Sequence, residues 1–275
     1  MNASEALIWA QSQLETKGVD SARLDALVLL EDATNIDRAK LLAEKDQIIR
    51  SGPLKQFKLQ VKQRSKRIPL SFIRGKTEFY GREFKISRSV LEPRPESETI
   101  IEELGLLINR EPKLSSVIDV GTGSGALAIT AKLEFPSLKV FAVDISSRCL
   151  SVAKFNSRLY RINIGFFRGD LIKPLPLSAW SNKAVIIANL PYVPESWQIN
   201  PEAMREPRIA IFGGTDGLDI YRKLFKQLSG LSLKPEYVLT ESMPPQHPEL
   251  VDIAARHRYQ LTKTNDFIQV YKRLQ

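Results

Sequence analysis

From Ser116 onward, short apolar segments that resemble β-strands alternate with segments long enough to form helices. This alternation limits the fold more than any other feature of the sequence, because strands joined by helical crossovers form a parallel sheet with helices on its faces. The five predicted strands cover residues 117–120, 139–144, 163–167, 184–189 and 236–240. The pattern predicts an α/β fold with an open, mostly parallel sheet.

The end of the chain departs from this alternation. Two further strand-like segments, 259–263 and 267–271, are separated only by Thr264, Asn265 and Asp266. A parallel crossover needs about a dozen residues or more, so these segments must form an antiparallel hairpin. A parallel nucleotide-binding sheet that ends in an antiparallel strand is typical of Rossmann-like class I methyltransferases rather than of dehydrogenases.

The chain before the sheet has a different pattern. Residues 1–73 contain short amphipathic segments with apolar residues at helical spacing, and residues 74–92 alternate around Gly75 and Gly81. These patterns predict a small N-terminal helical domain and a β-hairpin linker. The remaining residues, 93–275, form the domain that carries the sheet.

The composition excludes several classes of protein. The chain has 275 residues, of which 43% are apolar and 26% charged, as expected of a globular protein. No apolar run approaches the roughly 20 residues needed to span a bilayer, and the N-terminus lacks a basic flank followed by an apolar core. We therefore expect a cytoplasmic protein without membrane contact. A single cysteine, Cys149, rules out an internal disulfide framework, and two scattered histidines make a metal site unexpected.

The chain is basic, with a net charge of +9 and a pI near 9.6. Such a charge suits a partner rich in phosphate or carboxylate groups. Many of the basic residues lie within residues 55–67, beside an apolar stripe of Leu54, Phe57 and Val61 at helical spacing. A solvated helix face and a surface that contacts RNA or the ribosome both fit this pattern, so nucleic acid contact is an open alternative and not a requirement.

A glycine-rich segment follows the first strand of the sheet. Residues 119–125 read Asp-Val-Gly-Thr-Gly-Ser-Gly and precede a predicted helix. Asp144 ends the next strand, where its carboxylate can accept both hydroxyls of a ribose. The segment lacks the spacing of dinucleotide-binding loops and the lysine of phosphate-binding loops. It resembles the loop that binds S-adenosylmethionine, and the predicted cofactor ligands are Gly121, Thr122, Gly123, Ser124, Gly125, Asp144, Asp170, Leu171 and Asn189.

Asp170 and Leu171 follow the third predicted strand. In a site for S-adenosylmethionine, Asp170 or a nearby backbone amide meets the exocyclic amine of the adenine, and Leu171 packs on the ring. A helix cap at Asp170 is the alternative.

The fourth predicted strand ends in Asn189-Leu190-Pro191-Tyr192. Ligands bind at the carboxyl ends of strands in open α/β sheets, and this strand end carries the amide of Asn189, the restricted backbone of Pro191 and the phenol of Tyr192. The segment is therefore a candidate reaction site. A simple turn made by Asn189 and Pro191 is the alternative.

At this point the sequence resembles the peptide chain release factor glutamine methyltransferases over nearly its whole length. Several ordered segments carry the resemblance besides the glycine-rich loop and residues 189–192. They are 23–26 (Arg-Leu-Asp-Ala), 68–70 (Ile-Pro-Leu), 79–81 (Phe-Tyr-Gly), 90–98 (Val-Leu-Glu-Pro-Arg-Pro-Glu-Ser-Glu), 206–208 (Glu-Pro-Arg) and 212–218 (Phe-Gly-Gly-Thr-Asp-Gly-Leu).

The resemblance implies methyl transfer from S-adenosylmethionine to the side-chain amide nitrogen of the glutamine in the Gly-Gly-Gln motif of release factors. It implies that Asn189, Pro191 and Tyr192 are catalytic, and that Leu190 and Arg94 join them in binding the substrate. Glu206 and Arg208 are expected to brace the segment around Asn189. The helical domain is expected to dock the release factor, and the enzyme to act as a monomer.

The sequence departs from the family at three places. Leu190 replaces the first proline of the usual Asn-Pro-Pro-Tyr, Glu92 stands where an apolar residue is common, and residues 241–246 replace a glycine-containing segment. Because Asn-Leu-Pro-Tyr also occurs in adenine methyltransferases that act on ribosomal RNA, methylation of adenine in RNA or DNA is the alternative function. A non-catalytic RNA-binding or ribosome-binding module is a third reading, but the intact loop, Asp144 and Asn189 argue against it.

Overall fold

The computed structural model describes residues Met1–Leu274, and the chain divides into two compact units. The helical unit comprises Met1–Lys76 and a later segment, Ile199–Arg205. The sheet unit comprises Thr77–Gln198 and the chain from Glu206 onward. None of the described helices is both long and apolar enough to cross a bilayer.

Five helices build the helical unit. They are α1 (Ala3–Glu15), α2 (Ala22–Thr34), α3 (Arg38–Ala43), α4 (Ser51–Arg64) and α5 (Leu70–Arg74). Helix α1 begins after Asn2 because the Asn2 side chain accepts the Glu5 N–H at 2.8 Å and the Glu5 carboxylate accepts the Asn2 N–H at 3.0 Å. The predicted apolar stripe of the basic helix is confirmed, since Phe57 and Val61 are buried in the core of this unit.

The later segment belongs to the helical unit through a buried arginine of α4. Arg64 is 6% exposed. It donates to Asp25 at 2.6 Å and to Glu202 at 2.9 Å. A guanidinium this deeply buried needs charged or hydrogen-bonding partners. Its pairing with Glu202 therefore accounts for the position of Ile199–Arg205 in this unit.

The sheet unit begins at Thr77, within a hairpin of β1 (Lys76–Phe79) and β2 (Arg82–Lys85). The two residues between the strands, Tyr80 and Gly81, both have positive φ values. This is the geometry of a type I′ turn, which matches the twist of paired strands.

Seven strands form the main sheet. They are β3 (Ser116–Val120), β4 (Lys139–Asp144), β5 (Gly165–Arg168), β6 (Ala184–Ala188), β7 (Tyr237–Glu241), β8 (Tyr259–Asn265) and β9 (Ile268–Arg273). Their order is β5-β4-β3-β6-β7-β9-β8. Strands β3 to β7 pair in parallel, and β9 is antiparallel to both of its neighbours. The predicted sheet with a terminal antiparallel strand is confirmed.

Several predicted strand boundaries are wrong by one or two residues, and strand pairing explains two of these differences. Strand β5 begins at Gly165 because its ladder with β4 starts there, opposite Phe141. The final hairpin turns at Asp266 and Phe267, since Thr264 and Asn265 still pair with β9.

Helices cover both faces of the sheet. They are α6 (Glu98–Arg110), α7 (Ala126–Glu134), α8 (Ser147–Leu159), α9 (Asp219–Ser229) and α10 (His247–Arg256). Neighbouring strand residues point to opposite faces. Val117 of β3 therefore joins a core with α6 and α7, whereas Ile118 joins a second core with α9 and α10. The carboxyl ends of β3, β4, β6 and β7 meet at one edge of this sheet, where the candidate site lies.

Candidate active site

The loop after β3 is held by a buried carboxylate. Asp119 accepts the Thr122 hydroxyl at 2.6 Å and the Ala128 N–H at 3.1 Å. Burial raises the pKa of Asp119 to about 7, against the lowering effect of these two hydrogen bonds. All three loop glycines have positive φ values. At Gly121 an added Cβ atom would also lie 2.9 Å from Leu190 Cδ2, so the Leu190 side chain would have to shift.

Asp144 at the end of β4 faces this loop. Its Oδ2 atom accepts the Gly123 N–H at 2.9 Å, and its Oδ1 atom accepts the Ser146 N–H at 2.8 Å. Burial raises its pKa above the ordinary value, while the two hydrogen bonds lower it. Each carboxylate oxygen keeps a lone pair that can accept a ribose hydroxyl.

The loop after β3 and the carboxyl ends of β4 and β6 enclose a cavity of about 220 Å³. Its walls combine polar groups near Asp144 with apolar side chains, as a nucleoside requires. The sequence-predicted residues that line it are Gly121, Gly123, Asp144, Asp170, Leu171, Asn189, Leu190 and Pro191. The glycine backbone, the carboxylate of Asp144 and the apolar walls fit S-adenosylmethionine.

The other predicted loop residues lie behind this lining. Thr122 and Ser124 are buried, and Thr122 is engaged by Asp119. Gly125 packs closely on α8, where an added Cβ atom would lie 3.0 Å from Ala153 Cβ. These three residues shape the loop.

Asp170 is paired with two lysines at the cavity wall. Its Oδ1 atom lies 2.7 Å from Lys223 Nζ, and its Oδ2 atom lies 3.0 Å from Lys173 Nζ. The hydrogen bond from Lys223 is the main cause that lowers its pKa. Leu171 beside it has a φ of 51°.

Asn189 is the first member of a hydrogen-bonded chain. Its Nδ2 atom donates to Ser97 Oγ at 2.8 Å. Ser97 Oγ donates to Glu241 Oε2 at 2.6 Å, and the Tyr192 hydroxyl donates to Glu241 Oε1 at 3.1 Å. The chain thus links residues from three segments that are distant in sequence.

The two titratable groups in this chain of hydrogen bonds, Glu241 and Tyr192, have shifted pKa values. Burial raises the pKa of Glu241 to about 7, although the hydrogen bonds from Ser97 and Tyr192 lower it. Burial also raises the pKa of Tyr192, and the charge of Glu241 raises it further. The Tyr192 phenol therefore stays protonated and remains a donor to Glu241.

Leu190 is fixed by its backbone and by its side chain. Its N–H donates to the Tyr221 hydroxyl at 3.2 Å, and that hydroxyl lies within hydrogen-bond distance of the Ala188 and Glu241 carbonyls. The Leu190 side chain is buried in the core on the α9 side. Leu190 thus contributes only its backbone and one buried wall to the cavity.

The glycines of residues 212–218 allow two backbones to approach. A Cβ atom on Gly213 would lie 2.3 Å from the Pro191 carbonyl oxygen, and one on Gly217 would lie 2.0 Å from that of Tyr192. Gln246 Nε2 donates to the Tyr192 carbonyl at 2.7 Å. The glycine segment and Gln246 therefore hold the turn after Asn189.

Arg94 and Glu206 pair with each other. The Arg94 guanidinium donates to the Glu206 carboxylate, which also accepts the Glu92 N–H at 3.1 Å. The Arg208 guanidinium lies over the Phe212 ring, 4.4 Å from its centre. Glu206 thus braces the segment that contains Arg94. The expectation that Glu206 forms hydrogen bonds to the segment around Asn189 is wrong, because its carboxylate is engaged by Arg94 and by the Glu92 N–H.

Sequence reasoning missed Ser97, Glu241 and Tyr221. Ser97 lies within residues 90–98 and Glu241 within residues 241–246, both of which the sequence analysis compares with the family. A carboxylate that ends an apolar strand is unusual, and this signal could have identified Glu241. Tyr221 lies at core spacing on α9, which gives no hint of its hydrogen bonds.

Among residues 1–274 no cluster of three or more potential metal ligands is found. The Cys149 thiol is buried, and burial is the main cause that raises its pKa to about 11.

Comparison with known proteins adds independent information. Residues 5–75 match the family model of the PrmC N-terminal domain, and residues 117–206 match that of a methyltransferase domain. The release factor glutamine methyltransferase of Bacillus subtilis (strain 168) is 38% identical over 231 residues, covering 82% of this chain and 79% of that protein. That of Geobacter sulfurreducens is 34% identical over 237 residues, covering 85% and 79%.

A solved structure agrees with the predicted methyltransferase fold. The T. thermophilus 16S rRNA N2 G1207 methyltransferase, in complex with AdoMet and guanosine, has a TM-score of 0.51 to this chain at 16% identity. The match covers 73% of this chain and 50% of that one, and at this identity it shows the fold alone.

Proposed function

Since this chain belongs to the release factor glutamine methyltransferase family, we propose that it methylates the glutamine of the Gly-Gly-Gln motif in peptide chain release factors. The methyl group goes from S-adenosylmethionine to the side-chain amide nitrogen. The observation that carries the proposal is the position of Asn189. It lines the same cavity as Gly121 and Asp144, and its own amide nitrogen is engaged by Ser97, which leaves Oδ1 for a substrate.

The glutamine nitrogen is a poor nucleophile, because its lone pair is delocalised into the carbonyl group. Orientation is therefore more useful than deprotonation. Asn189 Oδ1 and the backbone carbonyl of Leu190 or Pro191 accept the two amide hydrogens and hold the nitrogen in place. The nitrogen–methyl bond forms as the sulfur–methyl bond breaks, which leaves S-adenosylhomocysteine as the second product. The nitrogen then loses one hydrogen as a proton, which passes by way of the accepting oxygen to water, so no strong base is required.

Tyr192 completes the substrate site. Its hydroxyl is anchored on Glu241, so the ring has a fixed position beside the turn. The ring packs on the flat glutamine amide, and its face stabilises a nearby positive charge by about 0.5 to 2 kcal/mol. Arg94, anchored on Glu206, contacts the substrate backbone.

Bound S-adenosylmethionine supplies an activated methyl group on a positively charged sulfur. The backbone of Gly121 and Gly123 would hold this cofactor, and Asp144 would accept the ribose hydroxyls. Asp170 and Leu171 adjoin the adenine. Asn189 contacts both cofactor and substrate.

The helical domain, residues 1–73, docks the release factor, since a loop presented by a large protein needs contacts beyond the pocket. The enzyme acts as a monomer in the cytoplasm, where release factors act, and direct nucleic acid contact is not required. Adenine methylation is not favoured, because the relatives at 34–38% identity carry the name of the glutamine enzyme.

Methyl transfer from labelled S-adenosylmethionine tests the proposal. Wild-type release factor, the same factor with its Gly-Gly-Gln glutamine changed to alanine, and ribosomal RNA are offered separately. Label on the wild-type factor alone supports the proposal, and Asn189→Ala should then abolish it. Label on RNA alone, or on the altered factor as well, would overturn it.

A further inference from the structure

The reaction proposed above requires that Asn189 present its side-chain oxygen, and not its nitrogen, to the substrate. We propose that Ser97 and Glu241 are positioning residues that fix this orientation of the Asn189 amide. The inference rests on the proposed function and concerns residues that do not line the cavity themselves.

The three side chains form a directed chain of hydrogen bonds. Ser97 lies in the short 3-10 turn that leads into α6, and Glu241 is the last residue of β7. Asn189 Nδ2 is 2.8 Å from Ser97 Oγ, and Ser97 Oγ is 2.6 Å from Glu241 Oε2. The second carboxylate oxygen of Glu241 accepts the Tyr192 hydroxyl.

The charge of Glu241 sets the direction of this chain. An ionised carboxylate can only accept, so Ser97 must donate its single hydroxyl hydrogen to Glu241. The Ser97 oxygen then offers only lone pairs to Asn189. Asn189 must therefore turn its NH₂ group toward Ser97, which directs Oδ1 away from Ser97 and leaves it for a substrate N–H.

Burial makes this arrangement strict. Ser97 and Glu241 are 2% and 0% exposed, so water cannot replace either partner. Reversing the Asn189 amide would place its oxygen against the Ser97 oxygen, with no hydrogen between them. A buried acceptor without a donor is strongly unfavourable.

Protonation of Glu241 removes the constraint. A neutral carboxyl group can donate to Ser97, and Ser97 can then donate to Asn189 Oδ1, which reverses the amide. The charged or titratable groups that interact with the Glu241 carboxylate include Arg94 and Glu96 before α6, Tyr192, and Tyr221 on α9. Its strand neighbour on β9 is apolar Ile268. Since burial raises the Glu241 pKa to about 7, the rate of methyl transfer should rise with pH through this region.

Ser97→Ala tests the proposal in the full-length enzyme. Single-turnover and steady-state methylation of wild-type release factor are measured with labelled S-adenosylmethionine. We expect kcat to fall about 10-fold to 100-fold, while KM for the release factor and Kd for the cofactor change by less than about threefold. Ser97→Thr, which keeps the hydroxyl, should recover most of the lost kcat. A kcat for Ser97→Ala within about twofold of wild type would overturn the proposal.

A matched control is Ser157→Ala. Ser157 is also a buried serine of the sheet unit, and its hydroxyl donates to the Ile162 carbonyl at 2.8 Å. Its loss should leave kcat unchanged. An equal loss of kcat in both variants would show a general packing effect and contradict the positioning role.

Glu241→Gln gives a second readout and serves if Ser97→Ala fails to fold. The glutamine keeps the shape but cannot ionise, so we expect a lower kcat that no longer rises between about pH 6 and about pH 8. A variant with the wild-type kcat and pH profile would overturn the proposal. If the wild-type enzyme itself does not methylate release factor, the proposed function fails before any variant is compared.

Discussion

The buried carboxylate of Glu241 should make the folded protein less stable as the pH rises. Burial raises its pKa from 4.5 to about 7. A group with a raised pKa in the folded state contributes stability below its unfolded pKa, and this contribution is lost as the pH rises through the folded pKa. At about 1.4 kcal/mol per pKa unit, the rise from 4.5 to about 7 corresponds to about 3 kcal/mol. Because Glu241→Gln resembles the protonated form, it should be more stable than wild type by up to this amount above about pH 7, and equally stable near pH 4.5.

Urea unfolding followed by circular dichroism at about pH 5 and about pH 8 measures this difference. A matched control is Glu103→Gln, since Glu103 is also buried but accepts hydrogen bonds from Lys263 Nζ at 2.6 Å and Asn265 Nδ2 at 2.8 Å. Removing a paired charge should not stabilise the protein at either pH. A loss of stability in Glu241→Gln at the higher pH would refute the reasoning, as would a gain of equal size at both pH values.

Three further predictions concern the groups around the site. Tyr221→Phe removes a hydroxyl that three buried backbone groups share and should lower the free energy of unfolding by about 1–3 kcal/mol; unchanged urea unfolding would contradict this. Asp144→Ala should weaken S-adenosylmethionine binding by about 10-fold to 100-fold, measured by calorimetry, because ribose loses its acceptor; an unchanged Kd would count against a ribose role. Gly217→Ala should abolish methylation or folding, since its Cβ atom would meet the Tyr192 carbonyl at 2.0 Å, whereas Gly230→Ala, with its nearest neighbour at 3.5 Å, should be tolerated; an active Gly217→Ala enzyme would refute the close-approach argument.

The order of strands and helices could be predicted because each element has its own local pattern. Buried parallel strands such as β6, whose five residues are all buried, give continuous apolar runs that need no tertiary information. Element ends were predicted less well. The start of β5 and the turn after Asn265 depend on which residues find a partner on the neighbouring strand, and that pairing has no signal in the segment itself.

The cofactor side of the site was predictable for a related reason. Gly121 and Asp144 follow strands directly, and the carboxyl ends of parallel strands meet at one edge. The Ser97–Glu241 contact could not be predicted in this way, because it joins positions 144 residues apart. Likewise, Ile199–Arg205 belongs to the helical unit through Glu202 and Arg64, 138 residues apart. Contacts of this kind depend on the folded arrangement, and only the charged residues at unusual positions hint at them.

Leu190 shows how a departure from the family pattern can be compensated. A proline at this position restricts φ through its ring, but it has no N–H group. Leu190 lacks the ring and keeps the N–H, which donates to the Tyr221 hydroxyl. Its side chain also packs against Gly121, so closely that a Cβ atom there would lie 2.9 Å from Leu190 Cδ2. A hydrogen bond to α9 and a contact with the cofactor loop thus restrain the turn after Asn189 where a second proline would otherwise do so.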